Sequence, residues 1–261
     1  MFKLFSISVS FLIGYLIGSI PFDYIIGKLN GIGLTKEGSG STGKTNALRL
    51  IGKKAAFMVL LGDFLKGLIA PILGIDFLLI AVFVLSPFQA LIKMEMLNFL
   101  EGIFFVIRYA PLGWVLWFIQ CNGGSWQCGK FQYCTIIAAS LGALIGHVKS
   151  CGISFKGGKA VATVVGTLFA LDWRVGLITA ILWALIVFIS KYSSWGGLIA
   201  LSFSPIIMFI FKFYFSNVRL FQVILYTLYC ALCAIYIIYK HKTVSRPVIE
   251  NTSSITIKSC F

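Results

Sequence analysis

Residues Glu37 to Asn46 read EGSGSTGKTN. Gly38, Gly43, Lys44 and Thr45 satisfy G-x-x-x-x-G-K-[ST], in which backbone N–H groups cradle phosphates, the lysine reaches the outer phosphates and the hydroxyl holds magnesium. Such a loop follows an apolar strand, opens a helix, and relies on a later Asp to hold the metal. Here the preceding KLNGIGLTKE is too short and too polar for a central strand, so an ATPase fails on context. The physics common to both cases remains: small residues let backbone N–H groups close around phosphate oxygens, and hydroxyls or a helix N-terminus add donors. Gly38, Ser39, Gly40, Ser41, Thr42, Gly43, Thr45 and Asn46 supply that chemistry, and Arg49 offers a guanidinium fork. The alternative is a flexible Gly/Ser loop that holds nothing.

A second stretch, FKGGKAVAT from Phe155 to Thr163, sets Lys156 and Lys159 around Gly157 and Gly158 just before an apolar run. Two glycines between lysines combine close backbone approach with flanking point charges, which suits an anion. Each basic residue here, Arg49 included, also reads as a plain topology marker. Taken together, the two loops predict that two phosphate groups meet at one membrane face.

The elements that must carry these loops follow from composition. The chain of 261 residues is 59% hydrophobic and 11% charged, with 24 Phe, far outside the range of soluble domains. It reads as a membrane protein, and the first apolar run, Leu4 to Ile26, lacks a small-residue cleavage site and reads as a span. The net charge of +14 gathers in the two loops and in the tail (Lys240, Lys242, Arg246, Lys258), which the positive-inside rule assigns to the cytoplasm. Spans near 4–26, 55–74, 77–92, 97–119, 131–147, 160–172, 175–190, 196–215 and 219–239 satisfy that parity, with the amino terminus outside and the carboxyl terminus cytoplasmic. The expected fold is therefore an all-α, polytopic transmembrane helix bundle, with no separate soluble domain, nucleic-acid partner, metal or organic cofactor. Cys230 and Cys233 lie in apolar flanks and read as packing residues, while Cys121 and Cys128 share a polar loop that allows a disulfide. Asp63 and Lys66 read as an i,i+3 pair, and His147 as a satisfied helix-end histidine.

Several stretches then carry a resemblance: GSIPFDYIIGK (Gly18 to Lys28), GSGSTGKTNALR with GKKA (Gly38 to Ala56), DFLKG (Asp63 to Gly67), GH (Gly146, His147), FKGGKAVAT, YSS (Tyr192 to Ser194) and KHK (Lys240 to Lys242). In this order they resemble the PlsY family, bacterial membrane acyl-phosphate:glycerol-3-phosphate acyltransferases. The resemblance implies seven helices, three cytoplasmic motifs, and transfer of an acyl group from acyl phosphate to the sn-1 hydroxyl of glycerol 3-phosphate, in the bacterial inner membrane. Residues 77–130 would then be an insertion holding two extra helices within one domain spanning 1–261. Ser39, Arg49, Lys159, Ser194 and His241 take catalytic or orienting roles by this resemblance, with membrane lipids and other lipid-synthesis enzymes as partners.

An acyl phosphate is a mixed anhydride with a good leaving group, so the protein must chiefly position the hydroxyl and neutralise developing charge. The resemblance implies base assistance by the substrate's own phosphate. The His-x4-Asp pattern of the other large glycerol-phosphate acyltransferase class is absent, since the fifth positions after His147 and His241 are Gly152 and Arg246. Departures from the PlsY pattern are Ser41 and Lys44 where Asn and Ala are usual, Lys149 and Ser150 after GH, Val244 in place of Asn, and Ser253 in place of Glu. A catalytically silent paralogue and a transporter of a phosphorylated solute are the rival functions. The transporter would pair broken helices at the bilayer midplane, a pattern not visible in the chain.

Overall fold

A computed structural model describes residues 2–34, 37, 43–93, 132–153, 155, 157–216 and 218–250, with side chains described within 4–74 and 133–240. Among these residues every regular element is helical: α1 (Phe2–Gly18), α2 (Phe22–Leu29), α3 (Lys44–Leu50), α4 (Lys53–Lys93), α5 (Gln132–Val148), α6 (Val161–Leu171), α7 (Trp173–Ser190), α8 (Ser193–Tyr214) and α9 (Leu220–Glu250). Six apolar stretches are long enough to cross a bilayer, and α6, with 11 residues, is a shorter apolar helix. The polytopic all-α expectation holds.

Two boundaries differ from the sequence reading. The first span breaks at Pro21, which lies just before α2 and cannot donate the backbone hydrogen bond a continuous helix would need there. The second does not stop near Gly74; α4 runs unbroken for 41 residues, so the separate span expected at 77–92 continues the same helix. Gly74 lacks the Pro or turn partner that would end a helix, and apolar residues continue beyond it. The expected span at 97–119, together with Cys121 and Cys128, lies outside the described residues.

Helix backbones approach closely because glycine occupies the crossing points. Gly14 and Gly18 of α1 face Ala139 and Ala143 of α5, and Gly142 and Gly146 of α5 face Phe11 and Tyr15 of α1. Both helices thus carry a G-x-x-x-G, and the partner numbers rise together, so α1 and α5 run parallel. A Cβ at Gly14 would stand 2.1 Å from Ala139 O. The parallel course sets the ends of α1 and α5 at one end of the bundle, as the parity read from the basic loops expects. Helices α4 and α6 use the same device and also run parallel: Gly67 packs on Thr163, and Gly166 on Phe64 and Leu68. The main apolar core lies among α5, α6, α8 and α9, with Val164, Leu168, Leu201, Met208 and Tyr229 buried. Cys230 and Cys233 are free and buried there, as packing residues.

At the far end of α6, Asp172 caps α7 by accepting from Arg174 N at 3.1 Å and pairs with Arg174 Nη2 at 2.9 Å and Lys212 Nζ at 3.2 Å. Burial works against its ionised form, yet the Arg174 hydrogen bonds and the Lys212 charge hold the carboxyl below its usual range. This cluster closes the turn between α6 and α7 without a role at the opposite end. Replacing Gly14 with Leu is expected to drive α1 from α5 and cost about 1–3 kcal/mol or more. A thermal melt of detergent-solubilised protein, with Leu12→Ala on the exposed face as the neutral control, checks it.

Candidate active site

Pro21 frees the carbonyls at the end of α1, and polar side chains from two other segments collect on them while α1 itself reaches the turn after α5. Ser150 Oγ donates to Ser19 O, Lys66 Nζ donates to Ile20 O at 3.0 Å, and Tyr15 Oη donates to Lys149 O at 3.0 Å. Lys66 also pairs with Asp63 at 2.8 Å, the expected i,i+3 pair. His147 Nδ1 lies 3.5 Å from the same Asp63 oxygen and 3.1 Å from Thr163 Oγ1, so the helix-end histidine is satisfied, as read from the sequence. Asp63 thereby links α4, α5 and α6. Asp23, Lys66, His147, Ser150, Gly157 and Gly158 border one small polar pocket.

The second glycine-and-lysine stretch lies over this network. Gly157 has to be glycine for a reason internal to the protein: a Cβ there would meet His147 O at 1.9 Å, because the loop runs across the exposed end of α5. Phe155 and Ala160 bracket the stretch with φ of 60° each, a left-handed conformation costly for residues with a Cβ. Ala160 precedes α6 as its N-cap without a side-chain hydrogen bond, so the positive end of α6 is open beside Lys159. Lys159 is half-buried, burial lowers its pKa, and no carboxylate among the described residues pairs with it. Lys156 lies outside the described residues.

Of the first loop, Gly38, Ser39, Gly40, Ser41 and Thr42 lie outside the described residues. Its borders are described. Asn46 is buried and donates to Leu34 O at 2.9 Å and Glu37 O at 3.1 Å, tying the two ends of the loop together. Gly43 precedes α3 with φ of +156°. Thr45 and Arg49 are exposed on α3. Lys44 turns inward, its ammonium 3.8 Å from the centroid of the Trp183 ring. Burial draws its pKa down to about 8, with the charge of Asp63 opposing that shift. The sequence marked Lys44 only as a Walker-type lysine standing where Ala is usual; a lone lysine five residues before an arginine carries no signal of where its side chain turns.

Ser194 is exposed one residue inside α8, whose N-cap is Tyr192. The start of α8 packs on α6, with Gly197 against Val161. His241 continues α9, and its side chain lies outside the described residues. Helix α3, the beginnings of α4, α6 and α8, and the ends of α2, α5 and α7 therefore share one end of the bundle. The two loops expected on one face adjoin it from both sides, since Lys44 and Val161 border the same cavity.

This arrangement defines a multi-pass helical membrane protein with glycine-bordered basic groups gathered at one end. The glycerol-3-phosphate acyltransferase family matches the chain over residues 8–250, and the chain belongs to that family. It is 32% identical over 230 residues to the glycerol-3-phosphate acyltransferase of Synechococcus sp. (strain JA-3-3Ab), covering 88% of this chain and 83% of that one. It is 31% identical to the Thermotoga petrophila enzyme of the same name, covering 78% of each. The crystal structure of PlsY (YgiH), an integral membrane glycerol 3-phosphate acyltransferase, in its glycerol 3-phosphate form aligns with TM-score 0.60 and 26% identity, covering 96% of this chain and 94% of that one. Its lysophosphatidic acid form aligns with TM-score 0.59 and 25% identity.

Asp63→Asn is expected to leave the Lys66 ammonium buried without its anion and to cost about 3–5 kcal/mol, read as a lowered melting temperature. A second test concerns Lys44, whose ammonium should be present below about pH 8 and lost above it. The Trp183 fluorescence, taken as wild type minus Trp183→Phe, should titrate with a midpoint near that value, and Lys44→Met should abolish the titration.

Proposed function

We propose that this chain transfers a fatty acyl group from an acyl phosphate to the sn-1 hydroxyl of glycerol 3-phosphate, forming lysophosphatidic acid and releasing phosphate. Membership in the acyltransferase family supports the reaction class. Among the solved relatives, one form carries glycerol 3-phosphate and the other lysophosphatidic acid, an acceptor and its acylated product. The observation that carries most weight is Lys159: a half-buried cation with no carboxylate partner among the described residues, next to an uncapped helix N-terminus.

In the proposed reaction, the glycerol hydroxyl oxygen attacks the acyl carbon, the bond from that carbon to the phosphate oxygen breaks, and the hydroxyl proton leaves on phosphate. The leaving group is already good, so positioning and charge neutralisation account for the acceleration. Lys159 and Lys156, with Gly157 and Gly158, neutralise phosphate charge beside the start of α6. Ser39, Ser41, Thr42 and Thr45, with the backbone at Gly38, Gly40 and Gly43, surround a second phosphate, and Arg49 forks onto it. Asn46 serves by holding that loop closed. Ser194 and His241 orient the acceptor. The whole chain, 1–261, acts as one membrane domain with 77–130 as an insertion, in the bacterial inner membrane with its amino terminus outside and its carboxyl terminus in the cytoplasm.

Purified protein given palmitoyl phosphate and glycerol 3-phosphate is expected to form lysophosphatidate. Lys159→Ala and Arg49→Ala should each lower kcat/KM by roughly 100-fold, with melting temperature unchanged. Absence of any product from folded wild type would leave the silent paralogue that Val244 and Ser253 raise.

A further inference from the structure

Lys44 takes no part in the transfer proposed above, and its surroundings are unlike those of a surface lysine. It lines an apolar cavity of about 300 Å³ between α4, α6 and α7, with Phe57, Phe64, Val165 and Trp183 among the walls and no second charged residue. No described carboxylate lies within ion-pair distance of it, Asp63 being engaged by Lys66 and His147. Only the Asp63 charge on α4 reaches it, and the walls from α6 and α7 are apolar. An ordinary lysine is a poor nucleophile at neutral pH because nearly every copy carries the proton. Burial draws the Lys44 pKa down to about 8, so at pH 7 roughly one molecule in ten has a free amine there. The Trp183 face, 3.8 Å from the ammonium, favours the charged form, and the amine turns from the ring to react.

The reagent such an amine would meet follows from the acyltransferase reading, on which this inference rests. An acyl phosphate is a mixed anhydride and acylates free amines as well as hydroxyls. Its phosphate is assigned above to Lys159 and the start of α6. Val161 and Ala162, the first two residues of that helix, border the cavity that Lys44 lines, and Lys44 is the one amine on that border. A single oxygen joins the acyl carbon to the phosphate, so a donor held at the start of α6 brings its electrophilic carbon to the side that Lys44 shares.

We propose that Lys44 is a site of self-acylation, at which the acyl phosphate donor converts the side chain to an N-acyl amide when no acceptor hydroxyl is present. The lone pair of Nζ attacks the acyl carbon, the bond from that carbon to the phosphate oxygen breaks with its electrons leaving on phosphate, and the surplus proton on nitrogen passes to the departing phosphate. The product suits its place: a neutral amide replaces a cation among apolar walls, which removes a desolvation cost. Its chain stays beside the start of α6, in the path of the next donor. The donor therefore silences the protein when glycerol 3-phosphate is scarce, and the acceptor protects it. The family pattern usually has Ala at this position, so the device belongs to this chain.

The test incubates the full chain in detergent with palmitoyl phosphate and follows its intact mass. Without glycerol 3-phosphate, wild type should gain one palmitoyl group, mapped by peptide fragmentation to Lys44, and saturating glycerol 3-phosphate should slow the gain severalfold. Lys44→Ala should gain nothing, and neither should Lys44→Arg, whose guanidinium stays protonated. The rate should rise about tenfold per pH unit up to about 8 and level off above it, the sign expected when the deprotonated form reacts. Lys159→Ala should slow the gain together with lysophosphatidate formation. After preincubation without acceptor, wild-type activity should fall in proportion to the adduct, while Lys44→Ala should keep the activity of its own untreated sample.

An equal gain in Lys44→Arg, or palmitoyl spread over several lysines, would overturn the inference in favour of indiscriminate acylation by a reactive lipid. So would an adduct removed by alkaline hydroxylamine, which cleaves an ester, or a thioester at the free and exposed Cys151, and spares an amide. Complete acylation with undiminished transfer would overturn the silencing. The two readings fail separately: Lys44 acylated, with no lysophosphatidate formed by fresh protein given both substrates, removes the transfer and keeps the modification. Lysophosphatidate formed while Lys44 stays unmodified in the absence of acceptor removes the modification alone.

Discussion

Backbone against backbone contact between helices is the constraint on which the rest depends. In lipid, apolar side chains gain nothing by leaving the bilayer for one another, so helices associate through close packing and internal polar contacts. The G-x-x-x-G pairs of α1 and α5 and the Gly67 and Gly166 crossing of α4 with α6 remove the side chains that would hold these helices apart. Asp63 can then be shared by Lys66 and His147, because α4 and α5 are near enough for the two short reaches to meet. Without those glycines, His147 would be held away from Asp63, and only the Asp63–Lys66 pair internal to α4 would remain.

The polar network in turn shapes the loop above it. Breaking the first span at Pro21 exposes carbonyls that Ser150 and Lys66 satisfy, and the end of α5 presents His147 O to the backbone of Gly157. The loop is pressed against this floor, with left-handed residues at both borders. Such a conformation persists only where the surroundings over-determine it. It leaves Lys159 half-buried, where its charge interacts more strongly with a ligand than it would in bulk water.

Much of this was legible in the residues. Hydropathy and the distribution of Lys and Arg gave a polytopic helical protein with the basic loops on one face, and the parallel course of α1 and α5 bears out the parity. The glycine-and-lysine stretches pointed to anions before any helix was located, and the Asp63 to Lys66 spacing implied their pairing. Less legible were the boundaries. The helix break at Ser19 to Pro21 and the continuation of α4 beyond Gly74 each turn on one or two residues, where local propensity is weakest.

Sequence alone determined the membrane as surroundings, the common face of the basic loops and their chemical character, because these depend on totals and spacings that are local along the chain. Tertiary structure decided which residue does what. Gly157 is needed by a carbonyl ten positions away, Asn46 ties its own loop shut, and Lys44 turns from the loop into an apolar cavity against Trp183. The reason is that burial and partnership come from segments far apart in the chain. Lys44 and Trp183 are separated by 139 positions, and no local pattern encodes that meeting.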